Sequence, residues 1–241
     1  MHLDKDTRRK KTLHAFGLIA LIVLSSLAVL NFGYVAKAQP IRVACVGDSI
    51  TFGGYPNVLQ EMLGYGYQVR NFGVCGATVS NTSKIPYMDQ PEFKKALEFD
   101  PDIIVIMLGT NDANPEIAYS TESFEADYAQ LISAFQALSG KEAIWIVKSP
   151  PIFATDSAYN NTYLSESVLP KINNLSYSLN LPVIDINSAC AEYEEYFCDG
   201  VHPSSEGAAL IASNVYDAIT FPDGSPDYTY TESAYYDYQS P

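Results

Sequence analysis

Residues 41–51 read IRVACVGDSIT, and this stretch decides the fold of the chain. Apart from Arg42, its first six residues are apolar, as in a parallel strand that is covered on both faces. The strand runs directly into a Gly-Asp-Ser turn, which sets Ser49 just beyond its carboxyl end. Open α/β sheets place their chemistry at this edge. Ser49 is therefore the candidate nucleophile.

Strands and helices alternate along the rest of the chain. After the first strand, four more are predicted at 67–72, 102–108, 143–147 and 182–186. Helical spacing of apolar residues predicts helices at 55–63, 91–99, 123–138, 163–179 (interrupted at Pro170) and 204–219. This alternation predicts an α/β fold, with a parallel sheet inside a three-layer α/β/α sandwich.

The N-terminal segment at 1–38 has the order of a secretory signal peptide. A basic group at 8–11 precedes an apolar run from about Ala15 to Leu30, and Ala36-Lys37-Ala38 fits a cleavage site. The apolar stretch continues past Asn31 and approaches spanning length, so an uncleaved membrane anchor is the alternative. We expect a secreted, extracellular or periplasmic protein, or one anchored in a membrane with its domain outside the cytoplasm.

The remainder of the chain has the length of one domain, which we place at 39–220. Residues 221–241 are rich in Tyr and Asp and contain no Lys or Arg, which is typical of a disordered tail or linker.

Residues 39–241 are strongly acidic. They contain 8 Lys and Arg against 26 Asp and Glu, a formal net charge of −18. Such a surface repels nucleic acid and anionic membranes, so we expect no nucleic-acid partner. Membrane contact is expected only through an uncleaved N-terminal segment. The charge favours a neutral small-molecule or polysaccharide substrate, and we expect a monomer.

The four cysteines do not form a metal-binding pattern. There is no Cys-x-x-Cys pair and no histidine cluster, so a zinc site is not expected. Cys190 and Cys198 flank a short loop before Asp199, and export would allow a disulfide between them to brace that segment. A disulfide and two free thiols are equally compatible with the sequence. Cys45 is expected to be a small buried residue of the first strand.

Acyl transfer needs a hydroxyl nucleophile, a base, an acid that orients the base, and donors for the oxyanion. In a parallel sheet, Ser49, a glycine-bearing loop around Gly76 and Asn111 would all emerge at one edge. His202 is the only histidine after residue 38, and Asp199 precedes it by three residues. We therefore take Ser49, His202 and Asp199 as a nucleophile, base and orienting acid.

Each of these residues also has an ordinary structural explanation. Ser49 could be a turn or cap residue, Asn111 could close an Asx turn, and a lone histidine often lies in a surface loop. All of these explanations would have to hold together at separate strand ends. The catalytic interpretation accounts for all of these residues with one function.

With these residues in place, the chain resembles the SGNH hydrolases, also called GDSL esterases and lipases, over residues 41–219. Four sequence blocks carry the resemblance, in the family's order. They are Gly47-Asp48-Ser49-Ile50-Thr51, with Ile in place of the usual Leu; Asn71-Phe72-Gly73-Val74-Cys75-Gly76; Gly109-Thr110-Asn111-Asp112; and Asp199-Gly200-Val201-His202.

The resemblance implies a flavodoxin-like five-stranded parallel sheet in the order 2-1-3-4-5. It implies Ser49 as nucleophile, His202 as general base and Asp199 as orienting acid. The oxyanion hole would be formed by the backbone N–H groups of Ser49 and Gly76 and the side-chain amide of Asn111. It implies neither a metal nor an organic cofactor.

Within the family, the amino-acid sequences of the second and third blocks are similar to those of the branch related to sialate O-acetylesterases and other carbohydrate deacetylases. The expected function is that of a secreted serine esterase that removes short acyl groups, above all acetyl, from carbohydrates. Two alternatives remain: a lysophospholipase or thioesterase of the same fold, and a non-catalytic glycan-binding protein.

Overall fold

The computed structural model describes residues 39–138, 143–155 and 158–222. The predicted signal peptide or anchor and nearly all of the predicted tail lie outside these residues. None of the helices within the described ranges is both long and apolar enough to cross a membrane.

Five parallel strands form the central sheet, in the predicted order 2-1-3-4-5. They are β1 (Ile41–Gly47), β2 (Tyr67–Gly73), β3 (Ile103–Met107), β4 (Ala143–Val147) and β5 (Val183–Ile184). β1 lies between β2 and β3, with Val46 opposite Phe72 on one side and Ile106 on the other. Because all strands run the same way, their carboxyl ends share one edge of the sheet.

Helices cover both faces of the sheet. They are α1 (Ser49–Phe52), α2 (Tyr55–Leu63), α3 (Pro91–Glu98), α4 (Phe124–Gln136), α5 (Asn161–Tyr163), α6 (Leu169–Leu179), α7 (Ile186–Ala189) and α8 (Ser205–Thr220). Alternate residues of β1 and β3 point to opposite faces, which produces two separate cores. One core packs α3, α4 and α6 against Val46 and Ile106. The other packs α2, α7 and α8 against Cys45 and Met107. The predicted three-layer sandwich is confirmed.

The fifth strand is shorter than the predicted 182–186. Pro182 has no amide hydrogen to offer a neighbouring strand, although its carbonyl accepts from the N–H of Ile146 at 3.1 Å. Asp185 ends the strand on the other side, because its carboxylate accepts from the N–H of Ser188 at 3.0 Å and caps α7. Only Val183 and Ile184 pair with β4.

The predicted interruption at Pro170 takes the form of a π-helical turn. Residues 164–168 form this turn between α5 and α6, and Pro170 lies in the first turn of α6. A proline ring clashes with the carbonyl four residues earlier in a regular α-helix. A wider turn immediately before the proline relieves this clash.

The disulfide between Cys190 and Cys198 is not present. All four cysteines lie among the described residues and are free, with Cys190 fully buried and Cys198 exposed. Cys190 packs in the core beneath α8, whereas Cys198 lies beyond a 3-10 turn at Glu194–Tyr196, on the surface. Cys45 is fully buried in β1, as predicted.

Candidate active site

Ser49 lies at the point where β1 turns into α1. β1 ends at Gly47, and Asp48 caps α1 by accepting a hydrogen bond from the N–H of Ile50 at 2.9 Å. The cap fixes the first turn of α1, which carries the serine side chain at the carboxyl edge of the sheet.

His202 contacts both Ser49 and Asp199. Ser49 Oγ lies 2.8 Å from His202 Nε2, and His202 Nδ1 lies 2.7 Å from Asp199 Oδ2. An ionised carboxylate can only accept, so Nδ1 carries the imidazole proton and Nε2 is left to accept from the serine hydroxyl. The sequence separates Ser49 and His202 by 153 residues, and the fold brings them into direct contact.

Asp199 is held in its ionised form. Partial burial opposes ionisation, but hydrogen bonds from His202 and from the backbone of Val201 outweigh it and lower the pKa of Asp199 to about 2. Its Oδ1 accepts from two backbone N–H groups, those of Val201 at 2.9 Å and His202 at 2.7 Å. These contacts leave Oδ2 facing the imidazole.

The glycine-bearing loop after β2 packs tightly against α1. A Cβ on Gly73 would lie only 2.3 Å from the backbone nitrogen of Phe52, so only glycine permits this approach. The N–H of Val74 donates to the carbonyl of Gly47 at 2.9 Å. Asn71 adds a side-chain bond from Nδ2 to the carbonyl of Thr51 at 2.8 Å. The loop that carries Gly76 is therefore tied to the turn that carries Ser49.

Asn111 lies beside this loop. It begins a 3-10 turn after β3, is 1% exposed, and donates from Nδ2 to the carbonyl of Ala77 at 3.0 Å. Its Oδ1 accepts from the hydroxyl of Tyr159 at 2.9 Å. Asn111 is thus joined directly to the neighbour of Gly76, and the second N–H of its amide remains for another acceptor.

Tyr159 is a site residue that sequence reasoning missed. It lies in the loop between β4 and α5, to which the sequence motifs assign no role. A tyrosine in a variable loop carries no motif that would link it to Asn111, 48 residues earlier.

Two buried carboxyl groups, those of Asp112 and Asp48, hold the segments that carry the site. Asp112 is 1% exposed and accepts from the N–H groups of Val79 and Ser80, each at 3.0 Å, which anchors the chain beyond Gly76. Burial raises the pKa of Asp112 to about 6, although these two bonds oppose the rise. Burial likewise raises the pKa of Asp48 to about 7, against the effect of Ile50 and Thr110.

An open groove borders the Asp199 side of the site. Its floor and walls combine aromatic, polar and acidic residues: Phe153, Ala154, Thr155, Glu194, Phe197, Cys198, Asp199 and Gly200. The first three belong to the loop after β4, and Glu194, Phe197 and Cys198 lie in the segment before Asp199. Across residues 39–138, 143–155 and 158–222, no cluster of three or more His, Cys, Asp or Glu side chains is placed to hold a metal ion.

Comparison with known proteins identifies relatives of the whole domain. The family model described as GDSL-like lipase/acylhydrolase matches residues 43–215. An acetylxylan esterase of Xylanibacter ruminicola is 33% identical over 210 residues, covering 76% of this chain and 44% of that protein. The chain therefore spans less than half the length of this relative.

Solved structures share the fold. An acetyl xylan esterase superposes with a TM-score of 0.62 at 20% identity, covering 74% of this chain and 100% of that one. A carbohydrate acetylesterase family member from Sinorhizobium meliloti superposes with a TM-score of 0.59 at 22% identity, covering 74% and 97%. The family match covers the sheet, both helical layers and all four sequence blocks, and we conclude that the chain belongs to the GDSL-like lipase/acylhydrolase family.

Proposed function

We propose that this protein is a serine esterase that removes acetyl and other short acyl groups from carbohydrates. The observation that carries the proposal is the continuous chain of hydrogen bonds from Ser49 Oγ through His202 to Asp199 Oδ2, with contacts of 2.8 and 2.7 Å. This arrangement supplies a nucleophile, a neutral base and a fixed negative charge in the order that acyl transfer requires.

In the first half-reaction, Ser49 Oγ attacks the ester carbonyl carbon while His202 Nε2 accepts the hydroxyl proton. The carbonyl oxygen becomes an oxyanion, which the backbone N–H groups of Ser49 and Gly76 and the side-chain amide of Asn111 stabilise. The imidazolium formed on His202 is stabilised by Asp199. As the tetrahedral intermediate collapses, the bond to the sugar oxygen breaks and His202 returns its proton to that oxygen.

In the second half-reaction, water replaces the sugar. His202 accepts a proton from the water as its oxygen attacks the acyl-serine carbonyl. The bond to Ser49 Oγ then breaks, the proton passes from His202 to that oxygen, and the carboxylic acid leaves and ionises. One ester and one water yield one alcohol and one acid, and the described residues supply every proton transfer.

Three observations support a carbohydrate ester as the substrate. The relative that is 33% identical is described as an acetylxylan esterase. The domain is strongly acidic, which disfavours anionic lipid surfaces and suits a neutral polymer. The groove beside Asp199 offers aromatic and polar groups together, a combination that fits the alternating apolar and hydroxyl surfaces of a sugar.

The test is acetate release from acetylated xylan and from O-acetylated sialic acid by the wild type and by Ser49→Ala. We expect release by the wild type alone. Failure on both sugars, together with hydrolysis of p-nitrophenyl acetate that depends on Ser49, would keep the esterase and reject these substrates. Absence of all Ser49-dependent hydrolysis, with no labelling by a fluorophosphonate, would favour the non-catalytic glycan-binding alternative.

Acyl-chain length separates this proposal from a lysophospholipase or thioesterase. We expect kcat/KM on p-nitrophenyl esters to be highest for acetate and to fall as the chain lengthens. A maximum at eight carbons or more would reject the acetyl preference.

We propose further that the enzyme works outside the cytoplasm. The support is the order of basic, apolar and small residues within positions 1–38. Mass spectrometry of the full-length chain expressed in a secreting host tests this. A mature N-terminus near Gln39 is expected, whereas an intact N-terminus in the membrane fraction would identify an anchor.

A further inference from the structure

The hydroxyl of Tyr159 is the feature that the catalytic scheme above leaves unused. It donates to Asn111 Oδ1 at 2.9 Å, across 48 residues of sequence. Tyr159 is half-buried and packs against the core beneath α4 and α6. Burial first, and then the nearby charge of Asp48, raise the pKa of this phenol above its ordinary value of 10. The hydroxyl therefore stays protonated, and able to donate, across the range in which an esterase works.

An asparagine in an oxyanion hole has an orientation problem. Its carbonyl and amino ends are nearly equal in size, but only the amino end can donate to an oxyanion. A flip of the amide, which exchanges its two ends, would turn its oxygen toward the developing negative charge. The 1% exposure of Asn111 means that bulk water does not help to select the correct orientation.

Two contacts distinguish the two ends of the Asn111 amide. The carbonyl of Ala77 can only accept, and it lies 3.0 Å from Nδ2. The protonated phenol of Tyr159 donates to Oδ1. In the flipped amide, the carbonyl oxygens of Asn111 and Ala77 would face each other and repel. The phenol can also accept, so it would meet the amino group through its oxygen and would lose its own donation to Oδ1. Donation to the carbonyl end also polarises the amide, which makes its remaining N–H a stronger donor.

We propose that Tyr159 is a positioning residue of the oxyanion hole, which fixes the Asn111 amide with its free N–H directed at the oxyanion. This inference rests on the proposed esterase function and extends it by one residue. It also assigns a role to the loop between β4 and α5, which delivers the phenol to the site.

The test is Tyr159→Phe, which removes one oxygen and keeps the packed ring. Because the negative charge on this oxygen is absent from the bound ester and develops only as the tetrahedral intermediate forms, we expect kcat on p-nitrophenyl acetate to fall about tenfold while KM changes less than twofold. The inhibition constant of methylboronic acid, which forms a tetrahedral adduct on the serine, should rise by a similar factor. Tyr163→Phe is the matched control, because its hydroxyl lies 2.8 Å from Thr121 Oγ1 instead, and it should keep kcat within twofold.

A double variant shows whether Tyr159 acts through Asn111. Asn111→Ala alone should lower kcat about 10²–10³-fold, as expected for the loss of one oxyanion donor. Adding Tyr159→Phe to Asn111→Ala should then cost less than twofold, because the amide that the phenol orients is gone. A thermal melt of each variant shows whether it is folded at the assay temperature.

Three results would overturn the assignment: wild-type kcat in Tyr159→Phe, a rise in KM alone, or the full tenfold loss repeated in the Asn111→Ala background. In each of these cases the wild type is active, so the proposed esterase activity stands. A wild type without Ser49-dependent hydrolysis would overturn both the function and the role of Tyr159.

Discussion

At the scale of single residues, the two carboxylate oxygens of Asp199 have different hydrogen-bond partners. Oδ1 accepts from the N–H groups of Val201 and His202, and Oδ2 faces His202 Nδ1. In Asp199→Asn, the two backbone donors can be satisfied only by the carbonyl oxygen. The amino group would then face Nδ1 and force the imidazole proton onto Nε2, where it blocks removal of the serine proton.

We expect Asp199→Asn to lower kcat by about 10³–10⁴-fold while leaving the melting temperature nearly unchanged. Initial rates on p-nitrophenyl acetate measure this. Asp185→Asn is the control, since Asp185 also accepts from a backbone N–H, that of Ser188, but pairs with Lys148, at 2.8 Å, instead of a histidine. A loss of less than tenfold in Asp199→Asn would show that Asp199 does not set the tautomer.

Gly200 is another residue, like Gly73, at which the structure requires glycine. It has φ +75°, and a Cβ there would lie 2.4 Å from the nitrogen of Ala154. The carbonyl of Gly200 accepts from the N–H groups of Phe153 and Ala154 at 2.7 and 3.1 Å, which clamps the Asp199–His202 segment onto the neighbouring loop. Gly200→Ala should break this clamp, destabilise the protein by about 2 kcal/mol or more and lower kcat at least tenfold.

Gly64→Ala is the matched control for that prediction. Gly64 has φ +67°, close to the φ of Gly200, but nothing lies within 4 Å of a Cβ placed on it. Gly64→Ala should cost about 1–3 kcal/mol of backbone strain, because φ +67° with ψ −162° is a region that glycine alone adopts readily, and it should leave kcat unchanged. Urea unfolding and initial rates on both variants make the comparison. Equal stability losses and unchanged kcat in both would contradict the clamp.

At the scale of elements, α8 depends on a cap placed two residues after His202. Ser204 Oγ accepts from the N–H of Gly207 at 3.3 Å, and both Ser204 and Ser205 donate to the carboxylate of Glu206. Ser204→Ala should therefore lower the free energy of unfolding by about 1 kcal/mol. Ser205→Ala, which loses only the exposed bond to Glu206, should lower it by about 0.5 kcal/mol at most.

Urea denaturation of these two variants separates capping from the surface bond that both serines share. The slope of the transition should stay constant, so that the change lies in the midpoint. Equal losses in the two variants would show that the cap contributes nothing beyond the contact with Glu206.

At the scale of the whole molecule, the centre of the sheet could be predicted because β1 and β3 are mostly buried and read as apolar runs. The arrangement of Ser49, His202 and Asp199 could be predicted because each residue belongs to a short motif that also specifies the turn around it. The predicted length of β5 was too great because the side chain of Asp185 caps α7, and the apolar pattern does not reveal this cap. The contact between Tyr159 and Asn111 depends on how a loop packs, and loop packing has no sequence period.

Similar reasoning applies to Cys190 and Cys198, for which the sequence is compatible with a bridge and with two free thiols. The two cysteines are close in sequence, but Cys190 is buried in the core and Cys198 lies on the surface. A local pattern cannot show such a difference in burial, because burial of Cys190 depends on α8, which begins only at Ser205.

Burial of carboxyl groups beneath the site predicts an unusual dependence of stability on pH. The folded-state pKa of Asp48 is about 7 and that of Asp112 about 6, against ordinary values of 3.8. The folded state therefore binds protons that the unfolded state has already released between about pH 4 and pH 7. The stability that these groups contribute is present below about pH 4 and is lost as the pH rises toward 7. Asp199 acts in the opposite direction, but only below about pH 4, where its lowered pKa applies.

We expect the free energy of unfolding to fall by a few kcal/mol between pH 4.5 and pH 7.5, since each pKa unit corresponds to about 1.4 kcal/mol. Rising negative charge on an acidic protein would act in the same direction, so the wild type alone cannot identify the cause. Asp48→Asn removes the titrating group while keeping its shape, and should flatten the dependence by about half or more. Asp89→Asn removes an exposed carboxylate and should leave it unchanged. The measurement is the urea midpoint of each variant at the two pH values. An equal change in stability with pH in both variants would assign the effect to overall charge instead of the buried Asp48.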